Sequence, residues 1–242
     1  MFEKQPTEAD YQGNGSKRIS VFIAGDSTAC DYEPAVAPRT GWGQVLNRFF
    51  DEEHVVIVNR AVSGRSSMSF INEGLLAKIL ADLKAGDYLL IQFGHNDAKK
   101  EDPTRYADPV AYQTYLAQYV NGARKAGAIP VLITPVNRRK FDENGKLIPT
   151  HGVYPEAMIK LAGELQVPLI DLTERSRVLF EKLGPEETKR LFLWFKPGEN
   201  SNYPEGIQDD THFSETGALE IAKLIVAGIR ELNLPLAKYL KV

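Results

Sequence analysis

Ser27 closes the apolar run Ile19-Ser-Val-Phe-Ile-Ala, which stops abruptly at Gly25-Asp26-Ser27. A serine hydroxyl is a weak nucleophile until a base takes its proton, a third group orients that base, and donors receive the oxyanion formed on attack. The chain holds residue types for each part. His212 has Asp209 three positions before it, in Asp209-Asp-Thr-His212-Phe. On a tight turn that carboxylate can accept the imidazole Nδ1–H and leave Nε2 free to take a proton. Asn96, in Gly94-His-Asn-Asp97, offers a side-chain N–H, and Gly64 offers a backbone amide that no Cβ screens. With the Ser27 amide these make a three-donor oxyanion hole, and the chemistry they suit is acyl transfer through Ser27.

Such residues act together only if the fold brings them to one place. Apolar, β-rich runs recur at Val55-Val-Ile-Val, Asp87-Tyr-Leu-Leu-Ile-Gln-Phe, Ile129-Pro-Val-Leu-Ile and Val167-Pro-Leu-Ile-Asp. Helical stripes separate them: Trp42, Val45, Leu46, Phe49 and Phe50; a helix over 67–83; Tyr112 to Ala123, stopping at Gly127; and Tyr154 to Leu165. A helical pattern from Thr173 to Phe192 carries a Gly184-Pro185 break, Trp194 to Asp210 reads as an irregular loop, and Ser214 caps a final helix. This alternation predicts an α/β protein with a five-stranded parallel sheet and helices on both faces. Ser27, Gly64 and Asn96 then follow successive strands, at the sheet edge where ligands bind in such folds. Residues 1–17 read as a flexible lead-in and 18–242 as a single domain.

The composition excludes several classes. Lys and Arg number 29 against 32 Asp and Glu, a net charge of -3 with no long basic run, so no nucleic-acid partner and no membrane surface are expected. One cysteine, Cys30, rules out an internal disulfide framework. The N-terminus lacks a secretion signal, and no apolar run approaches a membrane span, so a cytoplasmic location is expected. No composition feature speaks to oligomeric state.

Gly25-Asp-Ser-Thr, Gly64 after Asn59-Arg-Ala-Val-Ser, Gly94-His-Asn-Asp97 and Asp209-Asp-Thr-His212 resemble, in order, the four blocks of the GDSL/SGNH hydrolase superfamily. The resemblance implies a flavodoxin-like three-layer α/β/α sandwich (the SGNH hydrolase fold), Ser27, His212 and Asp209 as catalytic residues, and an oxyanion hole of Ser27, Gly64 and Asn96. It implies no metal and no cofactor. Gly41-Trp-Gly43, Gly64-Arg-Ser-Ser-Met-Ser-Phe70, Phe93-Gly-His-Asn-Asp97 and Asp209-Asp-Thr-His-Phe-Ser are similar to the rhamnogalacturonan acetylesterase branch, whose members remove acetyl groups from pectin-derived sugars. Lacking a signal and disulfides, the chain looks like a bacterial intracellular relative acting on acetylated oligosaccharides.

For the sugar, Trp42, Trp194 and Tyr203 offer flat apolar faces, Arg65 next to Gly64 can grip a carboxylate, and His151 lies in a loop within reach. Arg138, Arg139 and Lys140 form a second basic candidate in the loop after the fourth strand. Other readings compete. Acetyl-xylan or general short-chain esters are alternative substrates. A thiol hydrolase would use Cys30, a metal-dependent phosphoesterase would use Asp26, His95, Asn96, Asp97, Asp209 and His212, and a flavodoxin-like binding module would use none of them.

Overall fold

The structure, a computed structural model, describes residues 18–241. The expected lead-in over 1–17 lies outside the described residues. Strands β1 (Ile19–Gly25), β2 (Val55–Asn59), β3 (Tyr88–Gln92), β4 (Ile129–Ile133) and β5 (Leu169–Ile170) form one parallel sheet in the order β2-β1-β3-β4-β5. Chain order reverses at β1, which pairs with β2 on one side and β3 on the other. The carboxyl ends of β1 and β3 therefore flank the topological switch point, the crevice where doubly wound sheets hold ligands.

Side-chain alternation divides the core in two. Val21 and Ile23 of β1 face a layer made by α1 (Trp42–Val45), α6 (Leu172–Glu187) and α7 (Glu215–Glu231). Phe22 and Ala24 face α2 (Ser67–Asn72), α3 (Leu75–Asp82), α4 (Pro109–Lys125) and α5 (Tyr154–Leu165). Every residue of β3 is buried, which is why it reads as an unbroken apolar run. Among the described residues no helix is long and apolar enough to cross a membrane.

Local chemistry redraws several expected elements. The helix expected from Trp42 to Phe50 is α-helical only to Val45 and continues as a 3₁₀ turn over Leu46–Phe49. The helix expected over 67–83 is two, because Gly74 adopts φ 74°, a left-handed conformation that ends α2 before α3 begins. Its start is set by a capping box between Ser66 and Ser69. Helix α6 breaks at Gly184 as expected, and Ser214 caps α7 by accepting from the Gly217 amide.

The expected irregular loop from Trp194 to Asp210 is corrected to a hairpin. Strands β6 (Phe192–Phe195) and β7 (Ile207–Phe213) pair antiparallel outside the main sheet. Short apolar β6 merges with the helical pattern before it, and polar β7 lacks alternation, so neither announces itself locally. Phe192 pairs with Phe213 but Leu193 with Asp209, so Asp210, Thr211 and His212 bulge from the ladder. Bulges re-aim side chains, and this one presents His212 to the main sheet.

Candidate active site

The turn after β1 is held by Asp26. Its Oδ1 accepts from the Thr28 amide (2.9 Å) and hydroxyl (2.8 Å), while its carbonyl accepts from the Ala29 and Cys30 amides. Ser27 is thereby fixed at the end of the strand. Its Oγ lies 3.0 Å from His212 Nε2, and His212 Nδ1 lies 2.7 Å from Asp209 Oδ2. Asp209 does more than orient the ring: its Oδ1 accepts from the Thr211 (2.8 Å) and His212 (3.0 Å) amides and so shapes the bulge itself. Burial alone would raise the Asp209 carboxyl. The hydrogen bond and charge of His212, with the two amides, outweigh it and bring the carboxyl down to about 2.

The donors converge on the same cavity. Ser27, Gly64 and Asn96 line one pocket of about 330 Å³ together with His212. Among the described residues neither the Ser27 nor the Gly64 amide has an intramolecular acceptor, so both are free to meet a ligand oxygen. Gly64 takes φ 79°, which swings its amide into place and disfavours any side chain there even though the space is open. Asn96 is buried, and one Nδ2–H donates to the Arg65 carbonyl (3.0 Å), which aims the amide and leaves its second hydrogen for the pocket. The arrangement can activate Ser27 toward a carbonyl and hold the resulting oxyanion.

Behind it lies a buried polar layer. His95 Nδ1 is 3.2 Å from Asp26 Oδ2, and the His95 ring meets His151 edge-on at 4.4 Å. Burial pulls both imidazoles down, His151 well below its ordinary range, and the two Thr28 hydrogen bonds help keep the buried Asp26 carboxyl low against desolvation. Asp97, another acid close to the catalytic set in sequence, faces away from His212: its Oδ1 accepts from the Ser67 amide (2.9 Å) at the start of α2.

Several expected sugar contacts fall elsewhere. Trp42 is fully buried and donates to Gln92 Oε1 (2.6 Å), a core residue joining α1 to β3. Trp194 lines a separate cavity of about 800 Å³, where Arg139 and Lys189 lie over its ring, each at 4.7 Å. Tyr203 donates to the Val36 carbonyl and stacks on Phe195, pinning one surface loop to another. His151 is buried behind His95 and does not line the Ser27 cavity. The Arg65 guanidinium is turned outward to Glu73 (2.9 Å) and the Ser63 carbonyl. Cys30 is buried and burial pushes its thiol up, the reverse of a nucleophilic thiolate.

The cations that line the cavity are Arg39, Lys99, Arg105 and Arg138. Of these only Arg138 stands out in the sequence; Lys99 and Arg105 read as a charged surface loop. Their signal was position, directly after the strand end that carries Asn96.

Known proteins resemble the chain in sequence and in fold. Residues 23–218 match the model of the GDSL-like lipase/acylhydrolase family. The chain is 52% identical to the rhamnogalacturonan acetylesterase RhgT of Bacillus subtilis, over 93% of this chain and 95% of that one. It is 43% identical to the probable rhamnogalacturonan acetylesterase YesY of the same organism, over 90% and 95%. The crystal structure of Bacillus subtilis YxiM superposes with a TM-score of 0.78 at 27% identity, covering 90% of this chain and 58% of that one. With its parallel five-stranded sheet, serine at the β1 end and family match across most of its length, the chain belongs to the GDSL-like lipase/acylhydrolase family.

Proposed function

We propose that this protein is a carbohydrate acetylesterase that removes O-acetyl groups from rhamnogalacturonan oligosaccharides, and so serves pectin degradation, by way of an acetyl-enzyme on Ser27. The observation that carries the chemistry is the relay from Asp209 through His212 to Ser27, at 2.7 and 3.0 Å, facing two free amides and Asn96. The substrate reading is supported by the identity with RhgT and YesY.

In this mechanism His212 Nε2 takes the Ser27 proton as Oγ attacks the acetyl carbonyl. The oxyanion sits among the Ser27 and Gly64 amides and Asn96 Nδ2, and Asp209 stabilises the imidazolium. The carbonyl re-forms as the bond to the sugar oxygen breaks, and that oxygen receives the proton from His212. Water then attacks the acetyl-enzyme, gives a proton to His212, and leaves acetate, with the proton returned to Ser27. Nothing in this cycle calls on a metal or cofactor.

A cytoplasmic location belongs to the same proposal, supported by the single free thiol, and cell fractionation tests it. The activity is tested by acetate release from acetylated rhamnogalacturonan oligosaccharides against a Ser27→Ala control. Release by the wild type and none by the variant is expected. Turnover of acetyl-xylo-oligosaccharides alone would replace the substrate, and equal release by both proteins would remove Ser27 from the mechanism.

A further inference from the structure

The cavity over Ser27 is walled by Arg39, Lys99, Arg105 and Arg138 and, among the described residues, by no carboxylate, in a chain whose net charge is -3. Several arginines outside the cavity are paired with acids, Arg139 with Asp210, Arg65 with Glu73 and Arg60 with Asp82, whereas among the described residues the exposed Arg124, Arg190 and Arg230 are not. In the cavity Arg105 pairs with Asp102 (3.0 Å), but among the described residues no ion pair engages Arg39, Lys99 or Arg138. Of the two acids beneath the cavity, Asp209 is held by His212, while Asp26 accepts from Thr28 through Oδ1 and faces the buried His95 ring through Oδ2.

The two unpaired arginines are positioned without being neutralised. Arg138 donates to the Thr150 (3.3 Å) and His95 (3.2 Å) carbonyls, which fixes the guanidinium; no ion pair engages it among the described residues, and the buried Asp26 carboxylate acts on it only through space. Arg39 lies over the Tyr32 ring at 4.5 Å with its Nε buried and lacking an acceptor, and Tyr32 in turn donates to the Ser27 carbonyl (2.7 Å). Loops after three different strands, β1, β3 and β4, bring Arg39, Lys99 and Arg138 together. Three like charges around a cavity of about 330 Å³ repel one another, and an anion in the ligand relieves that repulsion.

Resting on the acetylesterase reading, we propose that Arg39, Lys99 and Arg138 are specificity-determining residues that read a free carboxylate on the acetylated oligosaccharide. The same cavity then discriminates against the carboxyl methyl ester, which offers neither charge nor a bidentate pair of oxygens.

The test compares kcat/KM for an acetylated galacturonate-rhamnose oligosaccharide with that for its carboxyl-methylated form, alongside p-nitrophenyl acetate. The wild type is expected to favour the free acid by at least about tenfold, the worth of one charged hydrogen bond, and salt should shrink that preference. Arg138→Gln and Lys99→Ala should each lower the acid-to-ester ratio several-fold, Arg138→Lys should restore part of it, and Arg65→Gln should leave the ratio in place. Lys99 is half-buried and unpaired, so its variant carries the test if Arg138→Gln misfolds. A wild-type ratio near one, with both sugars deacetylated, overturns this inference and leaves the acetylesterase reading standing. Hydrolysis of p-nitrophenyl acetate with neither sugar deacetylated overturns both.

Discussion

Asp209 and Asp210 are chain neighbours that serve opposite partners: Asp209 holds the His212 imidazole at 2.7 Å, while Asp210 accepts from Arg139 and from Trp194 Nε1, both at 2.8 Å. Asp209 is the last paired residue before the bulge and Asp210 the first within it, so the local kink turns one acid to His212 and the other to Arg139 and Trp194. Asp209→Asn is expected to lower kcat by up to about 10⁴-fold, as the corresponding change does in serine proteases. Asp210→Asn should change kcat far less and act mainly on thermal stability. Equal kcat losses for the two variants would overturn the assignment of the orienting acid.

The oxyanion donors make separable predictions. Asn96→Ala removes one pre-aimed donor, and kcat should fall about 10²- to 10³-fold with a smaller change in KM. Gly64→Ala meets no steric obstacle nearer than Arg105 at 3.7 Å, so its cost comes from φ 79°. Stability should drop by about 1–2 kcal/mol, and kcat should fall as the amide leaves its position. A Gly64→Ala enzyme with wild-type stability and rate would show that this conformation carries no cost and no function.

Asp97 gives a prediction about pH and stability. Burial pushes its carboxyl up to about 7, against the hydrogen bonds from Ser67. Between the ordinary value of 3.8 and about 7 the folded protein keeps a proton that the unfolded chain releases, so this residue's contribution to stability is lost as pH rises through that window. Asp97→Asn removes the titration and keeps an acceptor for the Ser67 amide. Melting temperatures should therefore shift in favour of the variant on going from about pH 4 to about pH 8. A difference between the two proteins that stays constant with pH would show that Asp97 is ionised throughout.

In the proposed mechanism Ser27, His212 and the oxyanion donors supply nucleophile, base and charge stabilisation. Dialysis against EDTA should leave acetyl release unchanged. Activity that disappears and returns with a divalent cation would favour the metal-dependent phosphoesterase reading.

Strands β1 to β5 were legible in the sequence because buried parallel strands must be apolar along their length, and such runs are local. The Asp209–His212 spacing was legible for the same reason: both residues sit on one short segment, and the Asp turn that joins them needs no distant contact. Where each long side chain points was decided only in three dimensions. Arg65 follows Gly64 yet reaches Glu73 on the far side of the capped turn, whereas Arg39 and Arg138, from distant segments, meet over Ser27. Trp42 looked like a sugar platform until α1 laid it against Gln92 of β3. The β6–β7 hairpin and its bulge arise from pairing across a loop, which leaves no periodicity behind. Local chemistry selects strands, caps and motifs; the direction of a cation or an aromatic ring depends on which neighbours the folded chain puts beside it.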